Sequence, residues 1–520
     1  MRISTSTIYD SGVANMQQQT ARLMQTQAQI GASRRILTPS DDPSASARVL
    51  EISQSQGLSQ QYDANIGAAT DSLGLEESVL ASITELLQSA KDATNAAGNG
   101  SYSLSDRKTL ALTLRSQYQE LIGLANSVDT TGQYLFAGYR SAASPFSQSA
   151  PGVVVYNGDQ GQRLLQVGPT RQIEVSDSGG GLFVNIPDGN GSFVTQDAKD
   201  PITGKSTNTG SGVIDRGSVL DAMKWDSVLD KNFSIKFAGT AMVAAAAANT
   251  GGASGTAGIV DQTQWSAGSK NYSIAFTAPG VYDIIDNATG TPLVTGGVYA
   301  SGATISFQGL EAVITDGASA PQAGDTFSIV PGAASSLTYD ILDSGGNSVL
   351  TGLPAGSPPY ARSYSSGASI GLKSQGGEPA FDFGIETRIS GTPAAGDSFA
   401  ITPSTSRDVF KTLSDLADLL ESGAGAPTRA NELSRLQLNL ENALNNVISA
   451  RSTVGTRLKE LDGLKNGNDS LALQYSQSLS RLQDLDYAKA ASEFTQQQVT
   501  LQAAQQTFVK VAGLSLFNYL

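Results

Sequence analysis

Enzyme chemistry needs a nucleophile, a proton acceptor or a metal ligand, and this chain of 520 residues has no histidine and no cysteine. Gly367-Ala368-Ser369-Ile370-Gly371 has the spacing of a nucleophile elbow, in which a strained turn exposes a serine hydroxyl. That hydroxyl needs an imidazole to take its proton, so a turn in a β module is the better reading. Ser105-Asp106-Arg107-Lys108 has the Ser-x-x-Lys spacing of a serine acylase. It stands at a helix start, where Ser and Asp cap backbone N–H groups, and Ser105 is read as the cap. Gly204-Lys205-Ser206 ends like a phosphate loop, but Lys199 occupies the position of its first glycine. Asp188-Gly189-Asn190-Gly191-Ser192 starts like a calcium loop, but Lys199 also falls where the bidentate Glu belongs, so a turn is expected. Asp41 and Asp42 form an adjacent carboxylate pair that reads as a helix cap and a bend. No catalytic, metal or cofactor-binding residue is expected, and the chain is read as a non-enzyme.

Composition narrows the class further. Charged residues make up 15% of the chain, against about 25% in an average soluble protein. A polar surface with few charges suits packing against copies or relatives, since few ions must be desolvated at each contact. The formal net charge is −14. Between Asn232 and Ala361 the only basic residues are Lys236 and Lys270. That stretch cannot neutralise phosphates, so nucleic acid is not an expected partner. No apolar h-region follows Met1-Arg2-Ile3-Ser4-Thr5, so no cleaved signal peptide is expected. No apolar run is long enough for a membrane span, and no membrane partner is expected.

The elements that would position any site are helical at both ends. Met16, Leu23, Ile30 and Leu37 fall seven apart, and after a break so do Ile52, Ser59, Ile66, Leu73, Leu80 and Leu87. That spacing is a coiled-coil-like seam, thinned by Gln, Thr, Ser and Ala between its steps. Asp42-Pro43 reads as cap and first helical residue of a helix reaching about Ala97. A third helix carries Leu110, Leu114, Tyr118, Leu121, Ala125 and Val128. At the other end Leu433, Leu440, Val447, Val454 and Leu461 repeat the seven-residue step. Asn466-Gly467-Asn468-Asp469 predicts a turn, and a last helix is expected from about Ser470 to Val511.

From about Ser141 to Ser406 short β-like runs alternate with Gly, Pro, Asn and Asp turns. An internal repeat is visible there. Tyr282-Asp283-Ile284-Ile285-Asp286 matches Tyr339-Asp340-Ile341-Leu342-Asp343, and Gly309-Leu310-Glu311 matches Gly384-Ile385-Glu386. Gly324-Asp325-Thr326-Phe327 matches Gly396-Asp397-Ser398-Phe399. The second copy is longer, with its extra length around Pro358 to Gln375. The expected fold class is α+β multidomain: an antiparallel helical bundle or coiled-coil stalk from both termini, with antiparallel β modules inserted in the middle. The expected domains are an N-terminal helical arm (1–140), a first β-rich insertion (141–232), β module repeats at 233–335 and 336–406, and a C-terminal helical arm (407–520) packing on the first arm. Thin seams crossed by Gly57, Gly67 and Gly74 predict outer arms that order only when neighbouring subunits complete their core.

Arg34-Arg35-Ile36-Leu37-Thr38-Pro39-Ser40-Asp41-Asp42-Pro43 resembles the motif of the flagellin-like family in its hook-associated protein 3 branch. So do the start, Met1-Arg2-Ile3-Ser4-Thr5, and the end, Leu514-Ser515-Leu516-Phe517-Asn518-Tyr519-Leu520. Gly138 after Tyr134-Leu135-Phe136-Ala137 is similar to that family's exit from its N-terminal helices. Ser33 stands where family members often have Gly. The resemblance covers about residues 1–140 and 430–520. It implies a secreted subunit of the bacterial flagellum, passed unfolded through the type III export channel without loss of a signal peptide. It implies a ring of neighbouring copies at the hook–filament junction, between hook-associated protein 1 and flagellin, with an export chaperone holding the chain beforehand. The assembly residues singled out are Pro39, Ser40, Asp41, Asp42, Pro43, Leu514, Leu516 and Leu520, the first five as a Pro-bounded turn that sets the arm's angle. The alternatives are a flagellin filament subunit, or a secreted adhesin or glycan-binding protein acting through its β modules.

Overall fold

The structure is a computed structural model that describes residues 5–331, 337–352 and 362–513. Its helices are α1 (Thr5–Ala32), α2 (Pro43–Ala97), α3 (Leu104–Ala125), α4 (Ala222–Ser227), α5 (Gln262–Ala267), α6 (Val409–Glu421), α7 (Ala426–Gln483) and α8 (Tyr487–Gly513). None of the described helices is long and apolar enough to cross a membrane. Helical ends and a central antiparallel β region are thus the architecture, as the sequence led us to expect.

Helix α2 starts where the Asp-Pro signal puts it. The Asp42 carboxylate accepts the Ala45 N–H at 3.0 Å, and Pro43 fills the first helical position, where no N–H is needed. The helix then runs 55 residues, about 80 Å at 1.5 Å per residue. Gly57, Gly67 and Gly74 do not break it; each faces open space, so each costs only about 1 kcal/mol of helix propensity. Two local readings need correction. Helix α3 is capped by Ser103, not Ser105. The Ser103 hydroxyl accepts the Asp106 N–H while the Asp106 carboxylate accepts the Ser103 N–H, a capping box that only one register allows. The turn expected at Asn466–Asp469 is absent, since α7 passes straight through it. Asn468 spends its side chain on Ser59, donating to its carbonyl at 2.8 Å, so tertiary pairing overrides the local turn preference. The real break is at Asp484–Asp486, where the Asp486 carboxylate accepts the Lys489 N–H at 3.0 Å and opens α8.

The chain divides into two compact units. The first comprises residues 1–74, 164–175 and 454–520. Within it α1 and α8 lie antiparallel, with Tyr9 edge-on to Phe508 at 4.9 Å and Thr26 donating to Gln497 at 3.1 Å. Ile66 and Leu73 of α2 and Val454 and Leu461 of α7 are buried in the same unit. The hairpin Leu164–Gln166/Gln172–Glu174 is held there by Arg171 to Glu460, Arg457 to Glu174 and Asn65 to the Gln166 carbonyl.

The second unit comprises residues 75–163 and 176–453. Its helical part buries Leu80 and Leu87 of α2, Leu433, Leu440 and Val447 of α7, and the facing apolar sides of α3 and α6. Gly138 has φ +68°, and a Cβ there would sit 2.1 Å from the Asp159 carboxylate, so the exit from α3 requires glycine.

The β region of this unit has two apolar cores. The outer core gathers Phe193, Ile214, Trp225, Phe233, Ile235, Phe237, Tyr339, Ile341, Ile385, Phe399 and Ile401. The inner core gathers Ile259, Trp265, Tyr272, Ile274, Phe276, Ile284, Leu310, Ile314, Phe327 and Ile329. One long strand, Phe233–Ala245, serves both. Its first half pairs with Leu337–Leu342 and Ser398–Pro403, its second half with Ser254–Ile259 and Thr326–Pro331. The two copies of the repeat are therefore not consecutive along the chain. Residues 193–239, 337–352 and 362–403 build the outer copy, and the inner copy lies between its two parts. A sequence scan that takes modules as contiguous blocks cuts through this arrangement.

Candidate functional site

Residues 33–43, which contain the singled-out turn Pro39–Pro43, connect α1 to α2 and form a clasp with the α7–α8 connection inside the first unit. Thr38-Pro39-Ser40-Asp41 is a β-turn closed by the Asp41 N–H on the Thr38 carbonyl at 3.0 Å, with proline at its second position. The Asp41 carboxylate turns back and accepts the N–H groups of Leu37 at 2.9 Å and Thr38 at 2.8 Å, and the Gln25 amide of α1 at 3.0 Å. The hydroxyls of Thr38 and Ser40 meet at 2.8 Å. Asp42 caps α2 and takes the Ser44 hydroxyl at 3.0 Å. Both carboxylates of this turn are thus used to fix backbone direction, which is what a bend between two helices needs.

Arg35, which the sequence reading did not single out, joins this turn to the other connection. Its N–H donates to the Gln483 carbonyl at 2.8 Å. Its guanidinium donates to the Leu482 carbonyl at 2.9 Å and lies 3.4 Å from the Asp42 carboxylate. The carbonyls it takes are the unsatisfied ones at the end of α7, where a cation is also favoured by the helix dipole. Arg34 bridges to Asp484 in an antiparallel pair. Ser33 sits at φ +58°, the left-handed region where glycine costs nothing and a side chain is strained. Its hydroxyl contacts the Tyr487 hydroxyl, which reaches the Ile30 carbonyl at 3.3 Å, so the side chain is used where the backbone is strained. No motif pointed to Tyr487 or Asp484; only the tertiary pairing of the two helix breaks reveals them.

Asp41 and Asp42 are both held below the usual carboxylate range. For Asp41 the cause is the pair of backbone N–H groups of Thr38 and Leu37; for Asp42 it is the Ala45 N–H, then the Ser44 hydroxyl and Arg35. Both are ionised at neutral pH and act as acceptors, a structural use of the pair. Leu514, Leu516 and Leu520 lie outside the described residues.

The remaining chemical patterns have structural partners. Gly367 has φ +76° in a turn, and the Ser369 hydroxyl bonds Glu386. Ser105 is in the first turn of α3. Asp188 faces the guanidiniums of Arg407 and Arg435, each at 3.7 Å, an environment that opposes a bound cation. Gly204 closes a hairpin whose Asp200 carboxylate accepts the Ile202 and Thr203 N–H groups. A second group missed from the sequence is an asparagine ladder on α7. Asn431 accepts the Ile214 N–H, Asn439 accepts the Gly189 N–H, Asn442 donates to the Pro187 and Gly189 carbonyls, and Asn446 to those of Gly181 and Leu182. Spaced three, four and eight residues apart, these side chains share one helix face and fasten irregular backbone to it.

Comparison with known proteins gives concordant matches. Residues 3–141 fit the family model of the bacterial flagellin N-terminal helical region, and residues 438–520 that of the C-terminal helical region. The chain is 35% identical over 222 residues to the flagellar hook-associated protein 3 of Salmonella typhimurium, covering 40% of this chain and 69% of that one. It is 33% identical over 199 residues to the hook-associated protein 3 of Escherichia coli, covering 37% and 62%. Its fold is similar to a crystal structure of hook-associated protein 3 from Legionella pneumophila, with TM-score 0.57, 23% identity, and coverage of 84% of this chain and 98% of that chain.

Proposed function

The chain belongs to the flagellar hook-associated protein 3 family and is a structural subunit of the flagellar junction; from this premise we propose that it is the adaptor seated between hook-associated protein 1 and the flagellin filament. Its immediate neighbours are then copies of itself in a ring, hook-associated protein 1 on the hook side and flagellin on the other. Before secretion a flagellar export chaperone holds it, and it leaves the cell through the type III export channel. Its role is architectural, not catalytic, and it takes no nucleic acid, membrane or cofactor.

The observation that carries this reading is the clasp. Two helix breaks from opposite ends of the chain are joined by Arg34 and Arg35, while Asp41 and Asp42 fix the turn that follows, so hydrogen bonds set the chain's direction at both breaks. An adaptor between two different lattices needs a set angle at such a point. The apolar side chains left exposed on α1 and α8 supply the surface that neighbours would cover. The test is complementation. In a strain lacking this chain, flagellin is expected in the medium, unpolymerised, and re-expression is expected to restore filaments on hooks. Filaments of normal length in the deletion strain would overturn the reading.

A further inference from the structure

We propose that residues 240–336 are a self-contained module seated in the hairpin turn of its own sister copy, that this module folds independently, and that the junction role resides in the rest of the chain. The last part rests on the function proposed above; the first two do not.

The two copies share a set of equivalent pairs and bonds. In the outer copy Phe237 pairs with Tyr339 and Phe233 with Ile401; in the inner copy Phe276 pairs with Tyr282 and Tyr272 with Ile329. Asp397 accepts the Thr209 N–H at 2.7 Å, and Asp325 accepts the Thr250 N–H at 2.8 Å. Leu220 and Asp221 donate to the Gly384 carbonyl, as Val260 and Asp261 do to that of Gly309. Asp221 caps α4, which buries Trp225; Asp261 caps α5, which buries Trp265. The sequences follow once the outer copy is read as split: Lys231-Asn232-Phe233-Ser234-Ile235 answers Lys270-Asn271-Tyr272-Ser273-Ile274.

The equivalence locates the insertion point. In the inner copy the strands Tyr272–Ala278 and Val281–Asp286 are joined by the two-residue turn Pro279-Gly280, with Gly280 at φ +74°. In the outer copy the equivalent pairing ends at Gly239 and Leu337, and the described residues between them, 240–331, are the inner copy. The packing is nearly separate. Among the described residues, the outer core takes no side chain from 240–336, and the inner core takes one from outside it, Ala395. Removing the inner module therefore uncovers Ala395, whose carbonyl also accepts the Gln262 N–H, and the Gly239 and Gly396 backbone beside Ile259 and Val260, but leaves the host's pairing of Phe233–Gly239 with Leu337–Leu342 and Ser398–Pro403 intact. The ends to be rejoined are already neighbours, so closing them with a short turn adds little loop entropy.

The chain's two tryptophans make this testable, because each copy has one. In full-length Trp225→Phe only the inner module reports by fluorescence; in Trp265→Phe only the outer does. Adding Phe327→Ala, which empties the inner core, is expected to lower the inner transition by at least 5 °C and leave the outer one within 1 °C. If both transitions move together, independent folding is wrong. The functional part is tested in the deletion strain with the wild-type chain and a chain in which Pro-Gly replaces residues 240–336. Filaments from both support the proposal. No filaments from either would reject the adaptor reading itself. Filaments from the wild type alone would overturn the proposal if the shortened protein retains the outer Trp225 transition, because the inner module is then needed for assembly. If that transition is lost, the independence of the two copies is refuted directly.

Discussion

The α3/α6 pair and the α1/α8 pair each join a helix from the first part of the chain to one from the last, yet only the former closes its own core. In α3/α6 the facing side chains, Leu114, Tyr118 and Leu121 against Phe410, Leu413, Leu416 and Leu420, are all buried, and Arg115 bridges Asp418 and Glu421. In α1/α8 the seam residues Met16, Leu23, Ile30, Phe494, Leu501 and Phe508 are only half-buried, and Met24 (63% exposed), Val499 (59%) and Val509 (69%) lie largely in solvent. Burial supplies roughly 25 cal/mol per Å² of apolar surface, against an ordering cost of about 1–2 kcal/mol for each backbone residue. By that comparison the first pair holds itself, whereas the second needs further surface from outside. An unfinished helix pair suits a subunit that must remain unassembled until it meets its neighbours.

The largest expected effect tests this contrast directly. In the dilute monomer, amides of α1 and α8 should exchange on the order of 100-fold faster than those of α3 and α6, and limited proteolysis should trim both ends while leaving the β region whole. Equal protection of the two pairs would show that the terminal helices need no partner. Core substitutions come next. Phe399→Ala is expected to destabilise the outer β core by about 3–5 kcal/mol, read by denaturant unfolding. Val499→Ala on α8 should change monomer stability by less than about 0.5 kcal/mol while lowering filament recovery in the complementation assay. A normal filament count for that variant would mean its exposed face contacts nothing.

The clasp gives a third test. Arg35→Ala should open the 33–43 segment to protease and reduce junction assembly, and Arg35→Lys should not restore it, since a single ammonium cannot match the planar fork that reaches Leu482 and Asp42. Acid should loosen the same segment. Asp41 and Asp42 have folded-state pKa values below their unfolded ones, so their contribution is present at and above about pH 5 and fades as pH falls below about 4. Protease resistance of the segment that stays constant to pH 3 would contradict that use of the carboxylates. The smallest effect is at Gly57, which is exposed in mid-helix. Gly57→Ala should raise helix stability by about 0.5–1 kcal/mol, measured by thermal melting.

Much of this organisation was legible in the residue order. Seven-residue spacing in Leu433, Leu440, Val447, Val454 and Leu461 marked a seam, and all five are buried. Asp42-Pro43 marked a helix start because capping is a local bond between neighbours in sequence. The missing histidines and cysteines set aside the common catalytic patterns before any geometry was known. Local signals failed where a distant partner competed for the same atoms. Asn468 would favour a turn in isolation but bonds Ser59, more than 400 residues away, and the helix continues.

The sequence by itself thus determined helical ends, a β middle, a repeat and a Pro-bounded turn, because these rest on spacing and on contacts within a few residues. Only the tertiary structure decided that Arg35 meets the end of α7, that α7 carries an asparagine ladder, and that one β module lies inside the other. These follow from hydrogen bonds and strand pairings between segments hundreds of residues apart, whose partners no local pattern can name.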